Sequence, residues 1–153
     1  MTTPIRRQNL LPSLLDRLLE PDGPWTIESV KKALKRDLEW LLNTRCGIST
    51  PAFGMNQLSK SSVTYGLPDL TSFRPGVFGG EEELRLAVQD AIRRFEPRLS
   101  QICVTLLVQP DFDRMVRFRI DAILRVEPDP EPVSFDSRLR LVDQTFEVRE
   151  EAP

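Results

Sequence analysis

FEPRL, residues 95–99, marks the point where one spacing of apolar residues stops and another begins. Upstream, EEELRLAVQDAIRRF (81–95) repeats Leu84, Ala87, Val88, Ala91, Ile92 and Phe95 at intervals of three and four, the period of one buried helical face. Gly79 and Gly80 introduce this helix, and Glu81, Glu82 and Glu83 complement the positive end of its dipole. Downstream the period falls to two. ICVTLLV (102–108) puts Ile102, Val104, Leu106 and Val108 on one side, and MVRFRIDAILRV (115–126) does the same with Val116, Phe118, Ile120, Ala122, Leu124 and Val126. Such alternation predicts strands with one buried and one wet face. Pro97 disfavours helical backbone at Glu96, so the switch falls at that residue.

The rest of the chain arranges itself around this corner. PDFD (110–113) predicts a tight turn joining the two strands into an antiparallel hairpin, EPDPEP (127–132) a proline-rich spacer, and SFDSRLRLV (134–142) and TFEVR (145–149) two more strands. Before the corner, SVKKALKRDLEWLLNTR (29–45) predicts a second long helix, with Val30, Ala33, Leu34, Leu38, Leu41 and Leu42 inward and Thr26 as N-cap. Lys31, Lys32, Lys35, Arg36 and Trp40 mark its outer side. Residues 46–80 are rich in glycine, proline, serine and threonine, with one short helical turn expected at 60–65. Near the start, PSLLDRLLE (12–20) places Leu14, Leu15, Leu18 and Leu19 on one short stripe with Ser13 as N-cap. Fewer than three turns cannot stand alone in water, so these leucines must cover their own domain or a neighbour. Helices first and strands second is the α+β order, with helices packed on one face of a small, mainly antiparallel β-sheet. The expected division is a docking segment at 1–24, one domain at 25–149 and a tail at 150–153.

Composition narrows the functions open to such a domain. The 153 residues hold 21 Lys plus Arg against 23 Asp plus Glu, a formal charge of -2, which argues against a general nucleic-acid binder. Neither an 18-residue apolar run nor a secretory leader is legible, so a cytoplasmic location without membrane insertion is expected. Cys46 and Cys103 stand too far apart for a metal motif, and both are expected to be reduced and structural. Histidine is absent, which removes Ser-His and Cys-His nucleophile pairs. No metal or cofactor is expected.

Catalysis would therefore rest on carboxylates, and Glu96 is the natural candidate. A glycan hydrolase needs two carboxyl groups about 5 to 9.5 Å apart, one of them able to hold a proton. Arg93, Arg94 and Arg98 surround Glu96 and favour its ionised form, a poor proton donor. Glu81 to Glu83 lie at the far end of the same helix, roughly 20 Å away at about 1.5 Å per residue. The other readings are structural: Glu96 and Arg98 at the rim of the corner, paired with each other or offered to a partner through the planar arginine fork. On the partner reading an Arg98→Ala or Glu96→Ala chain is expected to fold yet fail to join its partner.

PSLLDRLL (12–19), RDLEWLLNTR (36–45), YGLPDL (65–70), FEPRL (95–99) and the closing strands together resemble the TssE family of type VI secretion baseplate subunits. That family is related to the lysozyme-like wedge subunit of contractile phage tails. The resemblance implies a non-enzymatic subunit in a baseplate wedge with TssF, TssG and TssK, docked at the inner face of the cell envelope. It implies a sheet edge to which strands of the sheath subunits TssB and TssC add. It also assigns wedge-partner binding to Glu96, Pro97 and Arg98, beside the docking expected of Leu14, Leu15, Leu18 and Leu19. A peptidoglycan hydrolase and a subunit of a phage-derived contractile particle are the alternatives.

Overall fold

The computed structural model describes residues 12–19, 25–47, 61–70, 80–107 and 115–150. Three helices precede four strands: α1 (Leu14–Leu19), α2 (Ile27–Asn43), α3 (Gly80–Phe95), then β1 (Leu99–Leu107), β2 (Met115–Leu124), β3 (Glu131–Arg140) and β4 (Thr145–Glu150). The strands form an antiparallel meander in the order β1-β2-β3-β4. The expected α+β class is what forms.

Each long helix begins as its sequence requires. Thr26 and Ser29 form a capping box on α2, each side chain accepting the other's backbone N–H, which satisfies two of the helix's orphan donors. Along α2 the residues Val30, Leu34, Leu38, Leu41 and Leu42 are buried; along α3, Leu84, Val88, Ala91 and Ile92. Both helices lie on the sheet face formed by Val104, Val116, Phe118, Ile120, Leu124, Phe135, Leu139, Phe146 and Val148. α2 sits near β4 and α3 near β1. Strict alternation along β2 leaves Arg117, Arg119 and Asp121 on the opposite, helix-free face.

Three boundaries differ from expectation. β1 starts at Leu99 rather than Ile102, because a bulge inserts one extra residue between Ser100 and Cys103 with Gln101 at φ 51°, and this resets the alternation. β3 starts at Glu131, so the last two residues of the expected spacer pair with Leu124 and Ile123 of β2; Pro132 is tolerated near the beginning of the strand. Cys103 is exposed rather than structural, and both cysteines are free. The turn expected at 110–113 and the whole of residues 1–11 lie outside the described residues.

Between the long helices, Ser62–Thr64 forms a 3-10 turn within the expected 60–65. The following Gly66, at φ 108°, lets Leu67 exchange backbone hydrogen bonds with Thr44 and Cys46. A methyl group on Gly66 would collide with the Thr44 carbonyl, so this close approach requires glycine.

An open meander leaves two edge strands, and β4 is treated specially. The Asn43 amide donates to the Phe146 carbonyl at 2.9 Å, and its oxygen accepts the Phe146 N–H at 2.8 Å. Because both backbone groups go to Asn43, Phe146 turns them away from its neighbour Leu139 on β3. One helix-end side chain thus imitates a residue of a fifth strand. Arg45 continues the contact by donating to the Gln144 carbonyl at 2.7 Å. Replacing Asn43 by Ala is expected to cost about 1–2 kcal/mol for the two lost backbone partners, read from the urea midpoint; an unchanged midpoint would remove Asn43 from the account of this edge.

Candidate functional site

The corner at 95–99 is a buried electrostatic knot. α3 closes with the Glu96 N–H donating to the Ile92 carbonyl, and Pro97 then turns the chain. Arg98 folds back over Glu96: its backbone N–H and Nε donate to Oε1 at 3.2 and 2.8 Å, and Nη2 donates to Oε2 at 2.7 Å. Nη2 also donates to Asp37 Oδ2 on α2 at 2.6 Å. The Arg98 carbonyl accepts the Arg125 N–H at 2.8 Å, tying the corner to the end of β2. One residue therefore joins α3 and α2 through its guanidinium and the sheet through its carbonyl.

Glu96 is not at the rim, where the sequence placed it. It is 5% exposed, and the Arg98 side chain is 10% exposed. Only Pro97 of the three stands open to solvent. The reason is the turn itself, which directs the two charged side chains inward, where each supplies the other's counter-charge. Burial works against the charge on Arg98, but hydrogen bonding to Glu96 and then the pull of Asp37 more than offset it and hold its proton above the ordinary arginine range.

Asp37 passes the pairing on. Its Oδ1 accepts from Arg36 Nη2 at 2.8 Å, and the same nitrogen donates to Asp16 Oδ1 on α1 at 2.8 Å. Charges thus alternate along Glu96, Arg98, Asp37, Arg36 and Asp16. Arg36 also lies 4.9 Å from the centre of the Trp40 ring, a cation–π contact. Arg36, on the outer side of α2 as the spacing predicts, is the link to the N-terminal helix.

That link decides how α1 sits. Ser13 and Asp16 cap the helix, Asp16 Oδ2 accepting the Ser13 N–H at 3.0 Å and its hydroxyl at 2.6 Å, so Ser13 is the expected N-cap. Asp16, not a leucine, is the buried residue of α1, at 6% exposure. At about 100° per residue, turning Asp16 inward sends positions two away to the far side. Leu14 and Leu18 are accordingly 71% and 70% exposed, with Leu19 at 66% and Leu15 at 38%. Of the two places open to the leucine stripe, its own core is therefore not the one it occupies among the described residues.

A cavity of about 510 Å³ lies over the knot, lined by Pro12 and Ser13 before α1, Asp37 and Leu41 of α2, Tyr65, Phe95 to Arg98, and Arg125. Tyr65 and Phe95 meet edge to face at 5.2 Å between centroids. Burial, then the charges of Asp37 and Glu96, raise the Tyr65 hydroxyl above its ordinary value. Sequence reasoning brought together Glu96, Pro97 and Arg98 but missed Asp37, Leu41 and Tyr65. All three stand inside quoted motifs, RDLEWLLNTR and YGLPDL, but Leu38 is flanked by Asp37 and Glu39 alike, so nothing local marked Asp37 as the one that meets Arg98. Among the described residues no group of three Cys, Asp or Glu side chains is placed to hold a metal ion, and no helix is long and apolar enough to cross a membrane.

The sequence pattern described as baseplate wedge protein gp25 matches residues 28–129, which is more than half of the chain and takes in α2, α3, the corner and β2. The chain belongs to the baseplate wedge protein gp25 family. This is the family to which the five motifs pointed. Among solved structures, a chain of the baseplate complex from the type VI secretion system is similar, with 22% identity, a TM-score of 0.46, and coverage of 69% of this chain and 94% of that one. No curated protein matches the chain. As a member of the gp25 family, this chain carries its corner, its α2 motif and the first two of its four strands inside the matched span.

Two outcomes follow from the knot. Arg98→Met removes one cation from between two largely buried carboxylates and is expected to cost about 3 kcal/mol or more; Arg98→Lys should lose about half as much, and equal urea midpoints for all three proteins would contradict the pairing. For α1, burial raises the Asp16 carboxyl, but the Ser13 hydrogen bonds and Arg36 outweigh it and leave it below 3.8. A depressed folded value makes the contribution of Asp16 complete above about pH 4, lost as the pH falls through that lower value. Amide exchange over residues 14–19 should rise on acidification to about pH 3, and Asp16→Asn should abolish that dependence; flat exchange, corrected for intrinsic rates, would rule the tether out.

Proposed function

We propose that the chain is the wedge subunit of a type VI secretion baseplate, acting as a scaffold and not as an enzyme. The observation that carries this reading is the pairing of a rigid buried corner with an exposed leucine helix across one cavity. Leu14, Leu15, Leu18 and Leu19 present apolar area that water disfavours, at about 25 cal/mol per Å², and an exposed apolar patch bordered by polar groups suits a protein partner. Pro97 lines the same cavity as Pro12 and Ser13, the residues that lead into α1. The N-terminal segment (1–24), extending the α+β domain of residues 25–149, is the docking arm, and the partners are TssF and TssG with TssK in the same wedge. The assembly then sits in the cytoplasm against the inner face of the envelope.

The second task is sheath initiation by strand addition to TssB and TssC. The open meander supports it, since an edge strand offers unpaired backbone groups. Asn43 already occupies the first outward pair of β4, whereas β1 carries one longer side-chain contact, from Arg85 to the Val104 carbonyl at 3.5 Å, and we take β1 as the edge for an incoming strand. The hydrolase alternative is disfavoured by the corner's chemistry: Glu96 and Asp37 both serve one guanidinium, whereas a general acid needs a carboxyl group free to carry a proton.

Leu14→Asp combined with Leu18→Asp tests the docking arm without touching the core. The variant should unfold within about 0.5 kcal/mol of the parent and yet lose most of its co-purification with TssF and TssG; recovery at the parent's yield would refute the reading. Clearing of a peptidoglycan suspension that depends on Glu96 would instead favour the hydrolase.

A further inference from the structure

The face of the sheet turned away from the helices is rich in arginine, and the strand registers set its side chains in rows. Thr105, Arg119, Asp136 and Arg149 stand side by side across the four strands. The next row runs Leu107, Arg117, Arg138, Glu147. In the first row the signs alternate, and Arg119 Nε lies 3.4 Å from Asp136 Oδ1. In the second they do not: Arg117 of β2 is directly opposite Arg138 of β3. Like charges in that position destabilise a ladder, so the sheet itself gains nothing from the pair.

The neighbouring arginines are matched more fully than Arg138. Arg149 Nη2 donates to Glu147 Oε1 at 2.7 Å and Arg140 Nη1 to Asp143 Oδ2 at 3.0 Å, whereas Arg138 makes no hydrogen bond or ion pair with a described residue. Hydrogen bonding from Arg149 comes first in holding the Glu147 carboxyl below its ordinary value, and the charges of Arg138 and Arg140 add to it. Both members of the opposed pair are half-buried on this face, within reach of solvent. Leu107, next to Arg117 in the same row, is 39% exposed.

An anion seated between Arg117 and Arg138 turns their repulsion into two charge-assisted contacts, and the planar guanidinium fork suits a carboxylate. Directly opposite residues have Cα atoms about 4.5–5.5 Å apart, so one carboxylate can meet both forks. Asp136 and Glu147 flank the pair and would repel the successive charges of a phosphate backbone. A single carboxylate escapes most of that repulsion. Strands lie about 4.8 Å apart, which puts the middle of the arginine pair about 7 Å from Leu107, the spacing of residues i and i+2 in an extended chain.

We propose that this face binds an acidic segment of a further protein, extended across the strands, with one glutamate or aspartate shared by Arg117 and Arg138 and an apolar side chain two positions away on Leu107. The surface lies across the sheet from α2 and α3. It is therefore separate from the corner and the docking arm, and it takes a second partner.

The test adds three probes to the intact, isotope-labelled chain at low ionic strength: a blocked Ser-Glu-Ser-Leu-Ser peptide, its glutamine counterpart, and an oligothymidylate for a nucleic-acid backbone. The expected result is a saturable shift of the Arg117 and Arg138 side-chain signals and the Leu107 methyl signals with the glutamate peptide. Its affinity should exceed that of the glutamine peptide by at least about tenfold and fall as salt is raised. Arg138→Gln should lose that tenfold advantage while its urea midpoint stays at the parent's value or above, because a like-charge contact has been removed. A lower midpoint assigns Arg138 to the fold and overturns the proposal. Silence at Arg117 and Arg138, equal binding of the two peptides, or tighter binding of the oligothymidylate at the same signals overturns it as well.

Discussion

Arg98 ties together, at one buried corner, elements that elsewhere meet mainly through apolar packing. Its guanidinium closes the helix-to-strand corner through Glu96 and pins that corner to α2 through Asp37. From Asp37 the alternation of charge runs through Arg36 to Asp16, so the position of the N-terminal helix is set by the same network. Buried ion pairs of this kind are weak contributors to net stability compared with well-packed hydrophobic replacements. Their value lies in geometry, because each charge tolerates only arrangements that keep its partners in reach. A corner built this way is stiff, and stiffness is what a docking point inside a large assembly needs.

The same network explains why the leucines of α1 face outward. A six-residue helix has one side to offer, and the Asp16 pairing uses it. Leu14 and Leu18 are left in solvent by geometry, and their exposure then reads as an invitation to another chain. At the C-terminal end of α2, Asn43 closes the start of the β4 edge. One helix thus anchors α1 and the corner near its middle and blocks a strand edge at its end, which restricts where partners can attach.

Much of this was legible in the sequence, for a physical reason. Periodicity reports burial, so the face of α2 and the alternation of β2 came through residue by residue, the face of α3 did so except that Ala87 and Phe95 are half-buried, and Pro97 located the corner. What failed was anything decided by pairing across the chain. The bulge at Gln101 depends on β1 meeting β2, and Pro132 joined β3 only because Ile123 stands opposite it. Asp37 and Arg36 looked like ordinary helix-surface charges until Arg98 and Asp16 approached from 61 and 20 residues away. Glu96 was placed at the rim because sequence gives the order of charges and not the direction in which a turn points them.

The central claim is that the corner and α1 together form the surface by which this gp25-family chain enters its wedge. Hydrogen exchange of the chain, measured before and after it joins TssF and TssG, addresses that claim without any substitution. The account expects slowed exchange to concentrate over residues 12–19 and 95–99 and at Tyr65. Unchanged exchange in those segments, with new protection confined to the helix-free face of the sheet, would contradict it.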